Sequence, residues 1–511
     1  MKKKQTWILF VIIILALSAR ILPGTRTIDD SFITYRYAHN ILAGNGFLYN
    51  PGESVLGTTT PLYTLIMSAF GFVFGGENAN FPVIAWIFNA ILDAITCVLF
   101  IQLGKKLNQP LVSYASALFW AIAPYSVTFA IGGLETSLYV LLLVGMVYSY
   151  LNERFPLTAL LAGLSILTRP DAVLLVAPIV LDRFYLAFRK QKKIKLIEWL
   201  ALLLIPAIWF SFAWLMFGSP IPHSVTAKMA VYRLGPAASF IRLIQHYATP
   251  FMDQHLFGNN ATKVGIVIFP FLSILGSLTA LRQNKRLWPW VVFPWLYLIA
   301  FSVPNPLIFR WYLTTPLPAY ILFILIGLQS LFTTIIKAIK QPLPKRIVQI
   351  LMLLALFAYP LTAGLSAWTV HPDHGADRPA PDMAFIKLEL LYQQAAELIQ
   401  PYLQPADVLA AGDVGVLGYQ TNAIILDTVG LNSTQSMQYY PIDADQYVIN
   451  YAIPTQLILN EQPDAIIILE VYGRNTFLQN QTFRQQYTLL ESIPTDIYGS
   501  EGMLLFQRNP D

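Results

Sequence analysis

Two adjacent carboxylates, Asp29 and Asp30, follow the first apolar stretch of the chain and begin a polar segment. Ionisable side chains at the edge of the hydrocarbon are costly to keep there, so they mark functional sites by default. Desolvation and mutual repulsion would raise the pKa of one of them, which suits a general base that takes a proton from a hydroxyl. Alternatively, the two side chains cap the N-terminus of the helix that follows, and one can cap while the other acts. The pair is therefore a candidate catalytic site, with either residue as the base.

Two further polar positions stand near the ends of apolar stretches. Both are predicted to lie on the same side of the membrane as the acidic pair. Glu135 opens a helix, where the helix dipole alone already favours a carboxylate. Arg169 and Asp171 flank Pro170 and form either a tight turn with a local ion pair or part of a site. Each position thus has a structural alternative beside the functional one.

Basic side chains on the same predicted side are suited to an anionic group. Lys228 and Arg233 belong to a long loop and are placed to contact a phosphate, and Arg310 offers a bidentate guanidinium. The alternatives are solvated loop charges for the first two and, for Arg310 beside Trp311, an aromatic belt with a snorkelling arginine. Cations facing carboxylate bases fit a reaction whose leaving group is an anionic lipid phosphate.

Cofactor chemistry has little support in the sequence. His371, Asp373 and His374 resemble metal-ligand spacing, but they begin a Pro-rich linker and lack a fourth partner. No Walker loop, dinucleotide fingerprint or Ser-His-Asp order occurs, so nucleotide-driven transport is not indicated. The formal charge of +5 comes from basic residues scattered between apolar stretches, and nucleic acid is not expected as a partner. No cofactor is predicted, and a divalent metal is left open.

The composition places most of the chain in a membrane. Of its 511 residues 56% are hydrophobic and 12% charged, whereas a soluble protein has about 25% charged residues. Apolar stretches suited to a hydrocarbon core about 30 Å thick recur up to residue 366. The predicted spans are 7–23, 82–103, 111–130, 135–151, 155–168, 172–187, 196–217, 263–281, 287–303, 311–334 and 345–366. The first is expected to stay uncleaved, because its apolar stretch continues past a weak signal-peptidase site.

Lysine and arginine residues between the spans set the predicted orientation, since cytoplasmic loops retain positive charge. With the N-terminus in the cytoplasm, basic clusters such as 183–195 lie inside. An odd number of spans then places the loops 24–81, 218–262 and 304–310 outside, together with the C-terminal part; residues 24–81 are called the first loop below. Within it, 61–74 is predicted to be an interfacial or re-entrant helix, because another span would invert everything after it.

A second, soluble domain is predicted where polar residues return and apolar runs shrink to strand length. A helix is expected at 383–399, and strands at 408–411, 423–426, 465–469, 487–492 and 503–507. The single cysteine, Cys97, excludes intrachain disulfides, so this domain must fold without them. The predicted fold class is a polytopic α-helical membrane protein of about eleven spans (1–366) with an extracytoplasmic α/β domain (367–511).

Several stretches resemble the GT-C-fold glycosyltransferases that use polyprenyl-phosphate sugars, especially the group of the mycobacterial terminal arabinofuranosyltransferases. The fairly specific part is in the first loop: Thr27-Ile28-Asp29-Asp30-Ser31-Phe32-Ile33-Thr34-Tyr35-Arg36-Tyr37-Ala38, Asn45-Gly46-Phe47-Leu48-Tyr49-Asn50-Pro51-Gly52-Glu53 and Gly57-Thr58-Thr59. Later landmarks resemble that group in the same order: Gly133-Leu134-Glu135-Thr136, Thr168-Arg169-Pro170-Asp171, Gly218-Ser219-Pro220-Ile221-Pro222 and Arg310-Trp311-Tyr312.

The resemblance implies a GT-C-like catalytic membrane domain in the cell membrane and an inverting transfer on its outer face. A polyprenyl-phosphate sugar would be the donor, and a hydroxyl of a cell-envelope glycan, glycolipid or protein the acceptor. The implied roles are Asp29 or Asp30 as base, Glu135 and Tyr35 for orienting the acceptor or tuning the base, Arg169, Lys228 and Arg310 for the donor phosphate, and Arg36, His223 and Tyr312 for lining the substrate. Asp413 and Asp427, each at a strand end, could bind a glycan or simply make turns.

Two other classes of function compete with this interpretation. A secondary transporter predicts ionisable residues within its spans, and Asp93, inside the second predicted span, fits that expectation. A membrane scaffold with an outer interaction domain would not need the acidic pair. The donor sugar, whether arabinose, mannose or another hexose, stays open.

Overall fold

The computed structural model describes residues 2–189, 192–370 and 375–510, with the side chains of residues 2–4 left out. The metal-ligand spacing at His371, Asp373 and His374 lies outside the described residues.

Helices dominate the described chain. In chain order they are α1 (Lys2–Ile21), α2 (Asp29–Leu42), α3 (Pro61–Val73), α4 (Phe81–Lys106), α5 (Pro110–Ile122), α6 (Pro124–Ile131), α7 (Thr136–Leu151), α8 (Phe155–Thr168), α9 (Val173–Phe188), α10 (Leu196–Phe217), α11 (His223–Val231), α12 (Ala238–Ala248), α13 (Gln254–Phe257), α14 (Asn259–Gln283), α15 (Trp288–Ser302), α16 (Leu317–Ala338), α17 (Pro342–Leu353), α18 (Tyr359–Ser366), α19 (Lys387–Ile399), α20 (Gly415–Thr421), α21 (Thr455–Glu461), α22 (Glu470–Gly473) and α23 (Gln481–Gln486).

Each of the eleven predicted spans coincides with a helix or a pair of consecutive helices. Among the described residues, five helical stretches are long and apolar enough to cross a membrane: Phe81–Lys106, Leu196–Phe217, Asn259–Gln283, Arg310–Ala338 and Pro342–Ser366. A sixth is added if α5 and α6, bent by 43° at their junction, count as one span. The chain is thus built as a helical membrane protein, and the number of eleven crossings stays a prediction.

The break between α5 and α6 has a local cause. Pro124 is the first residue of α6, and a proline has no N–H to continue the hydrogen bonds of the preceding helix. The guanidinium of Arg20 compensates, since it donates to the carbonyl oxygens of Ala121 (2.8 Å) and Trp120 (3.5 Å) and to the hydroxyl of Ser126. A broken helix at membrane depth is tolerated when such freed groups find partners inside the protein.

Asp93 is the ionic partner of that arginine. Its Oδ2 accepts from Arg20 Nε at 2.8 Å and from Ser137 Oγ at 2.9 Å, and both charged side chains are at most 1% exposed. Asp93 had favoured the transporter hypothesis when only its position in a span was known. The ion pair explains the residue without transport.

Strands occur in two places. Two-residue strands β1 (Trp368–Thr369) and β2 (Ala380–Pro381) form an antiparallel pair that the sequence analysis did not predict. The five-stranded sheet has the order β4-β3-β5-β7-β6, and its strands are β3 (Val408–Ala411), β4 (Ile424–Asp427), β5 (Ala465–Leu469), β6 (Tyr487–Pro494) and β7 (Gly502–Arg508). β3 pairs in parallel with β4 and β5, and β7 pairs antiparallel with β5 and β6. All five predicted strands and the helix at 383–399 are present within a few residues.

The chain forms two compact units, each assembled from separated segments. The first unit comprises Met1–Arg26, Ala85–Ile208 and Ala237–Phe385. The second comprises Thr27–Ile84, Trp209–Pro236 and Ile386–Asp511, the last of which is called the C-terminal segment below. The predicted domains 1–366 and 367–511 are continuous in sequence, and that boundary stays a prediction.

Candidate active site

Asp29 lies at the start of α2 but does not cap that helix. The N-cap is Ile28, and no side chain caps the end. The Asp29 carboxylate instead accepts the backbone N–H of Gly415 at Oδ2 (2.9 Å) and of Val416 at Oδ1 (2.8 Å), the first two residues of α20. The hypothesis that Asp29 caps its own helix is therefore wrong. The residue caps a helix of the C-terminal segment.

Asp30, the next residue, has a different environment. Its carboxylate is half-buried and accepts no hydrogen bond from the described residues. Burial raises the pKa of Asp30, and the positive charge of Lys228 on α11 lowers it in part. One carboxylate of the pair is thus fixed by two donors, whereas the other has no hydrogen-bond donor in the described part of the chain.

Asp413 is a third carboxylate in the same unit. Its Oδ2 accepts from the hydroxyls of Tyr392 (2.7 Å) and Tyr472 (3.3 Å), and its other oxygen accepts nothing from the described residues. Burial raises the pKa of Asp413, the two tyrosine bonds lower it, and the charge of Asp30 raises it further. Burial also raises the pKa of Asp29 well above its usual range, helped by the charges of Asp413 and Asp30 and opposed by the two N–H donors. The three carboxylates therefore interact electrostatically.

Asp427, proposed together with Asp413 as glycan-binding, serves a turn instead. Its carboxylate accepts the N–H groups of Val429 (3.0 Å), Gly430 (3.0 Å) and Asn432 (2.9 Å). Burial raises the pKa of Asp427 to about 6 against these bonds. The turn explanation thus accounts for its contacts.

Four further predicted site residues belong to the second unit. Tyr35 is fully buried and stacks on Phe81, with ring centroids 5.9 Å apart. Arg36 donates to the backbone oxygens of Tyr49 (2.8 Å), Ala423 (2.6 Å) and Gly418. These two side chains are part of the packing of the unit. Lys228 and His223, by contrast, are half-buried residues of α11.

His223 is the first residue of that short helix, and Lys228 lies in its last turn. The backbone N–H of His223 donates to the carbonyl oxygen of Leu56 in the first loop (2.8 Å), and its ring Nε2 is buried without a hydrogen bond to the described residues. Burial lowers the pKa of His223. Of the two, Lys228 is the residue that the structure connects to the acidic pair, through its charge.

The first unit contains a separate cluster around Arg169. Its guanidinium donates to both carboxylate oxygens of Asp171 (2.9 and 3.3 Å) and approaches Glu135 Oε1 at 3.5 Å. It also lies over the rings of Tyr312 (4.3 Å) and Tyr139 (5.2 Å). The local ion pair of the turn is therefore present, and it binds the guanidinium fully inside the protein.

Arg310 occupies a different environment of the first unit. It begins a 3₁₀ turn, Arg310–Thr314, and donates to the carbonyl oxygen of Met383 (2.6 Å). Its guanidinium also packs over the ring of Phe385 at 4.2 Å. The structure thus brings together Arg169, Glu135 and Tyr312, and separately Asp29, Asp30 and Lys228. Their roles toward a substrate stay predictions.

Three residues that contact Asp29 or Asp413 were not predicted from the sequence. Tyr392 and Tyr472 bind Asp413, and Gly415 donates to Asp29. Nothing local marks the tyrosines, whereas Gly415, two residues after Asp413, was a usable signal. Within the residues that the structure describes, no three His, Cys, Asp or Glu side chains are grouped to bind a metal ion, and metal dependence stays open.

Comparison with known proteins gives one family model and one sequence relative. Residues 384–506 match a model described as a domain of unknown function, DUF8728. A stretch of 222 residues is 28% identical to a Mycobacterium tuberculosis protein named terminal β-(1→2)-arabinofuranosyltransferase. That match covers 40% of this chain and 35% of the mycobacterial protein, so the chain matches about a third of its relative's length.

Solved structures extend the likeness to the whole chain. ArnT from Cupriavidus metallidurans, solved with undecaprenyl phosphate, superposes with a TM-score of 0.57 at 13% identity, covering 100% of both chains. The archaeal oligosaccharyltransferase AglB from Archaeoglobus fulgidus, solved with an inhibitory peptide and a dolichol-phosphate, gives 0.56 at 11% identity, covering 95% of this chain and 73% of AglB. The chain therefore has the GT-C fold, and the similarity to polyprenyl-phosphate-dependent glycosyltransferases predicted from its first loop is confirmed.

Proposed function

We propose that this protein is an inverting membrane glycosyltransferase. It moves a sugar from a polyprenyl-phosphate donor to a hydroxyl of a cell-envelope glycan, glycolipid or protein on the outer face of the cell membrane. The observation that carries the proposal is the difference within the acidic pair: the Asp29 carboxylate accepts two backbone N–H groups, and the Asp30 carboxylate accepts none from the described residues. The fold and the sequence relative support the reaction class.

In this mechanism Asp30 is the general base. Its carboxylate takes the proton of the acceptor hydroxyl while the hydroxyl oxygen attacks the anomeric carbon of the donor sugar. The bond from that carbon to the phosphate oxygen breaks, and polyprenyl phosphate leaves with its electron pair. Attack opposite the leaving group inverts the anomeric configuration. The raised pKa of Asp30 makes the carboxylate a stronger base than an exposed one.

The remaining roles come from the resemblance. Lys228 would stabilise the leaving phosphate, and its charge near Asp30 supports that assignment. Arg169 and Arg310 are proposed for the same phosphate, and Glu135 and Tyr35 for the acceptor. Their observed contacts lie within the protein and give these four no independent support. We further propose eleven membrane crossings with a cytoplasmic N-terminus and an extracytoplasmic C-terminal segment, from the distribution of basic residues.

A panel of donors tests the proposal directly. The protein reconstituted in liposomes is offered polyprenyl phosphates carrying arabinofuranose, mannose or another hexose, with a glycan acceptor. One donor is expected to release polyprenyl phosphate in step with a product of inverted anomeric configuration. Protein carrying Asp445→Asn, at an exposed position of the 3₁₀ turn Ala444–Gln446, serves as the matched control and should equal wild type. Substrate flux across the vesicle membrane without release from any donor would contradict the proposal and favour a transporter.

The charge of Lys228 makes a second, separable prediction about pH. Because this cation lowers the pKa of Asp30, Lys228→Gln is expected to move the acid limb of kcat/KM to higher pH. The limb reports deprotonation of the base in the free enzyme, so it is read from kcat/KM across pH. Arg233→Gln is the control, because Arg233 is an exposed cation just after α11 that donates to the carbonyl oxygen of Ala444 (3.1 Å) and lies over the Tyr447 ring at 5.8 Å. An unmoved or lowered limb in Lys228→Gln alone would contradict Asp30 as base.

A further inference from the structure

The C-terminal segment makes hydrogen bonds to the start and the middle of α2 and to the chain that follows it. At the start of the helix, Gly415 and Val416 donate to the Asp29 carboxylate, and the Asp29 N–H donates to Glu389 Oε1 (3.3 Å). Further along, Arg36 donates to the carbonyl oxygens of Gly418 and Ala423. One helix of the first loop is therefore fastened along two turns by residues almost four hundred positions away.

The turn after α2 is tied to the same region. Tyr49 donates its hydroxyl to the carbonyl oxygen of Val414 (2.7 Å). The side-chain amide of Asn50 donates to the Ile425 oxygen (2.9 Å) and accepts the Ile425 N–H (3.0 Å). Ile425 belongs to β4, the edge strand of the sheet, so Asn50 pairs with a free edge as a neighbouring strand would.

Two glycines of α20 allow it to approach the first loop closely, because they have no Cβ atom. A Cβ added at Gly415 would overlap the backbone oxygen of Asp29 and lie 2.8 Å from its Cγ. A Cβ at Gly418 would overlap the Tyr49 hydroxyl and lie 2.8 Å from Arg36 Nη1. These two positions on α20 thus accept no larger residue without displacing the first loop.

The side chains that make these hydrogen bonds are buried, so losing a partner would be costly. Asp29, Arg36 and Asn50 are 8%, 4% and 1% exposed. A buried polar group that loses its partner costs about 1–3 kcal/mol, and more when it is charged. The C-terminal segment therefore provides both partners of the Asp29 carboxylate and several of the partners of Arg36 and Asn50.

We propose that the C-terminal segment, most of which matches a domain of unknown function, is the positioning element of the acidic pair. Residues 414–425 of the segment fix the first loop through Asp29, Arg36, Tyr49 and Asn50, and thereby set where the adjacent Asp30 stands. The inference rests on the proposed function for its catalytic consequence. Its structural content, an ordered first loop, is measurable without turnover.

Gly415→Ala in the full-length protein is the test, with Gly502→Ala as its matched control. Both introduce one methyl group into the C-terminal segment. At Gly502 it crowds Ser492 Oγ (2.8 Å) in the β6–β7 pair and meets no residue of the first loop. Hydrogen–deuterium exchange of residues 27–57 is expected to rise in Gly415→Ala and to equal wild type in Gly502→Ala. Gly418→Ala should act as Gly415→Ala does.

Turnover gives the catalytic readout, with the donor that the panel above identifies. Displacing a reacting group by an ångström costs about 100-fold in rate, so kcat should fall by about that factor in Gly415→Ala while both KM values stay within about twofold. Unchanged exchange over 27–57, or equal losses of kcat in both variants, overturns the inference. If wild type itself releases no lipid phosphate from any donor, the proposed function fails, and exchange alone decides the positioning role. Should Gly415→Ala not fold, Gly418→Ala carries the same comparison.

Discussion

Asp30→Asn is expected to lower kcat by about 10²–10⁴-fold, the usual contribution of a general base. Asn has the same shape but cannot take a proton from the acceptor hydroxyl. Because the Asp30 carboxylate accepts no hydrogen bond from the described residues, the substitution removes no hydrogen bond among them and changes only its electrostatic interactions, among them that with Lys228. Turnover is measured with the donor found in the panel, at saturating donor and acceptor.

The direction of the pKa shift of Asp30 also predicts how Asp30→Asn changes the unfolding temperature. Burial raises the pKa of Asp30 in the folded protein, so the fold favours the protonated form. That contribution is present at low pH and is lost as pH rises through the folded pKa. At neutral pH the ionised carboxylate opposes folding, and Asp30→Asn is expected to unfold at the wild-type temperature or above it.

Asp29→Asn provides the contrast that assigns the base. It replaces one carboxylate oxygen by an NH₂ group that faces the N–H of Gly415 or Val416, so a bond is lost and two donors meet. We expect a lower unfolding temperature together with reduced turnover. The roles of the two residues would have to be exchanged if Asp29→Asn lost turnover at full stability while Asp30→Asn stayed active.

Asp93→Ala is expected to lower the free energy of unfolding by about 3–5 kcal/mol, because removing one partner leaves a buried charge uncompensated. The guanidinium of Arg20 would lose the carboxylate that neutralises it and remain among carbonyl oxygens and a hydroxyl. Asp93→Asn is the milder companion, since its amide oxygen still accepts from Arg20 Nε. Thermal unfolding in detergent should rank wild type above Asn and Asn above Ala. Wild-type stability in both variants, combined with lost substrate flux, would return Asp93 to a transport role.

The helices and the sheet were predictable because their signals are local. Length and hydropathy mark each apolar stretch, and buried β5 reads as five consecutive apolar residues, Ala465–Leu469. The Arg20–Asp93 pair was not predictable, since each residue interrupts a separate apolar stretch and the two are 73 positions apart. Hydropathy indicates that a charge is buried without indicating what neutralises it.

The site shows the same limit. Sequence rules for helix ends describe a helix and its own flanking residues, whereas Asp29 caps α20 from 386 positions away. Asp413 and Asp427 both follow short strands, and only contacts separate them. Asp427 is enclosed by its own next five residues, which turn chemistry allows one to foresee. The tyrosines on Asp413 come from distant parts of the C-terminal segment.

The long separation between Asp29 and its donors has a consequence for biosynthesis. A ribosome adds about 5–20 residues per second, so Gly415, 386 residues after Asp29, is made roughly 20–80 s later. Throughout that interval the nascent chain lacks the two N–H donors of the Asp29 carboxylate and the partners that the C-terminal segment gives to Arg36 and Asn50. Chains that end before α20 should accumulate with the first loop open to proteases. Maturation of the acidic pair is accordingly among the last events in the life of the newly made chain.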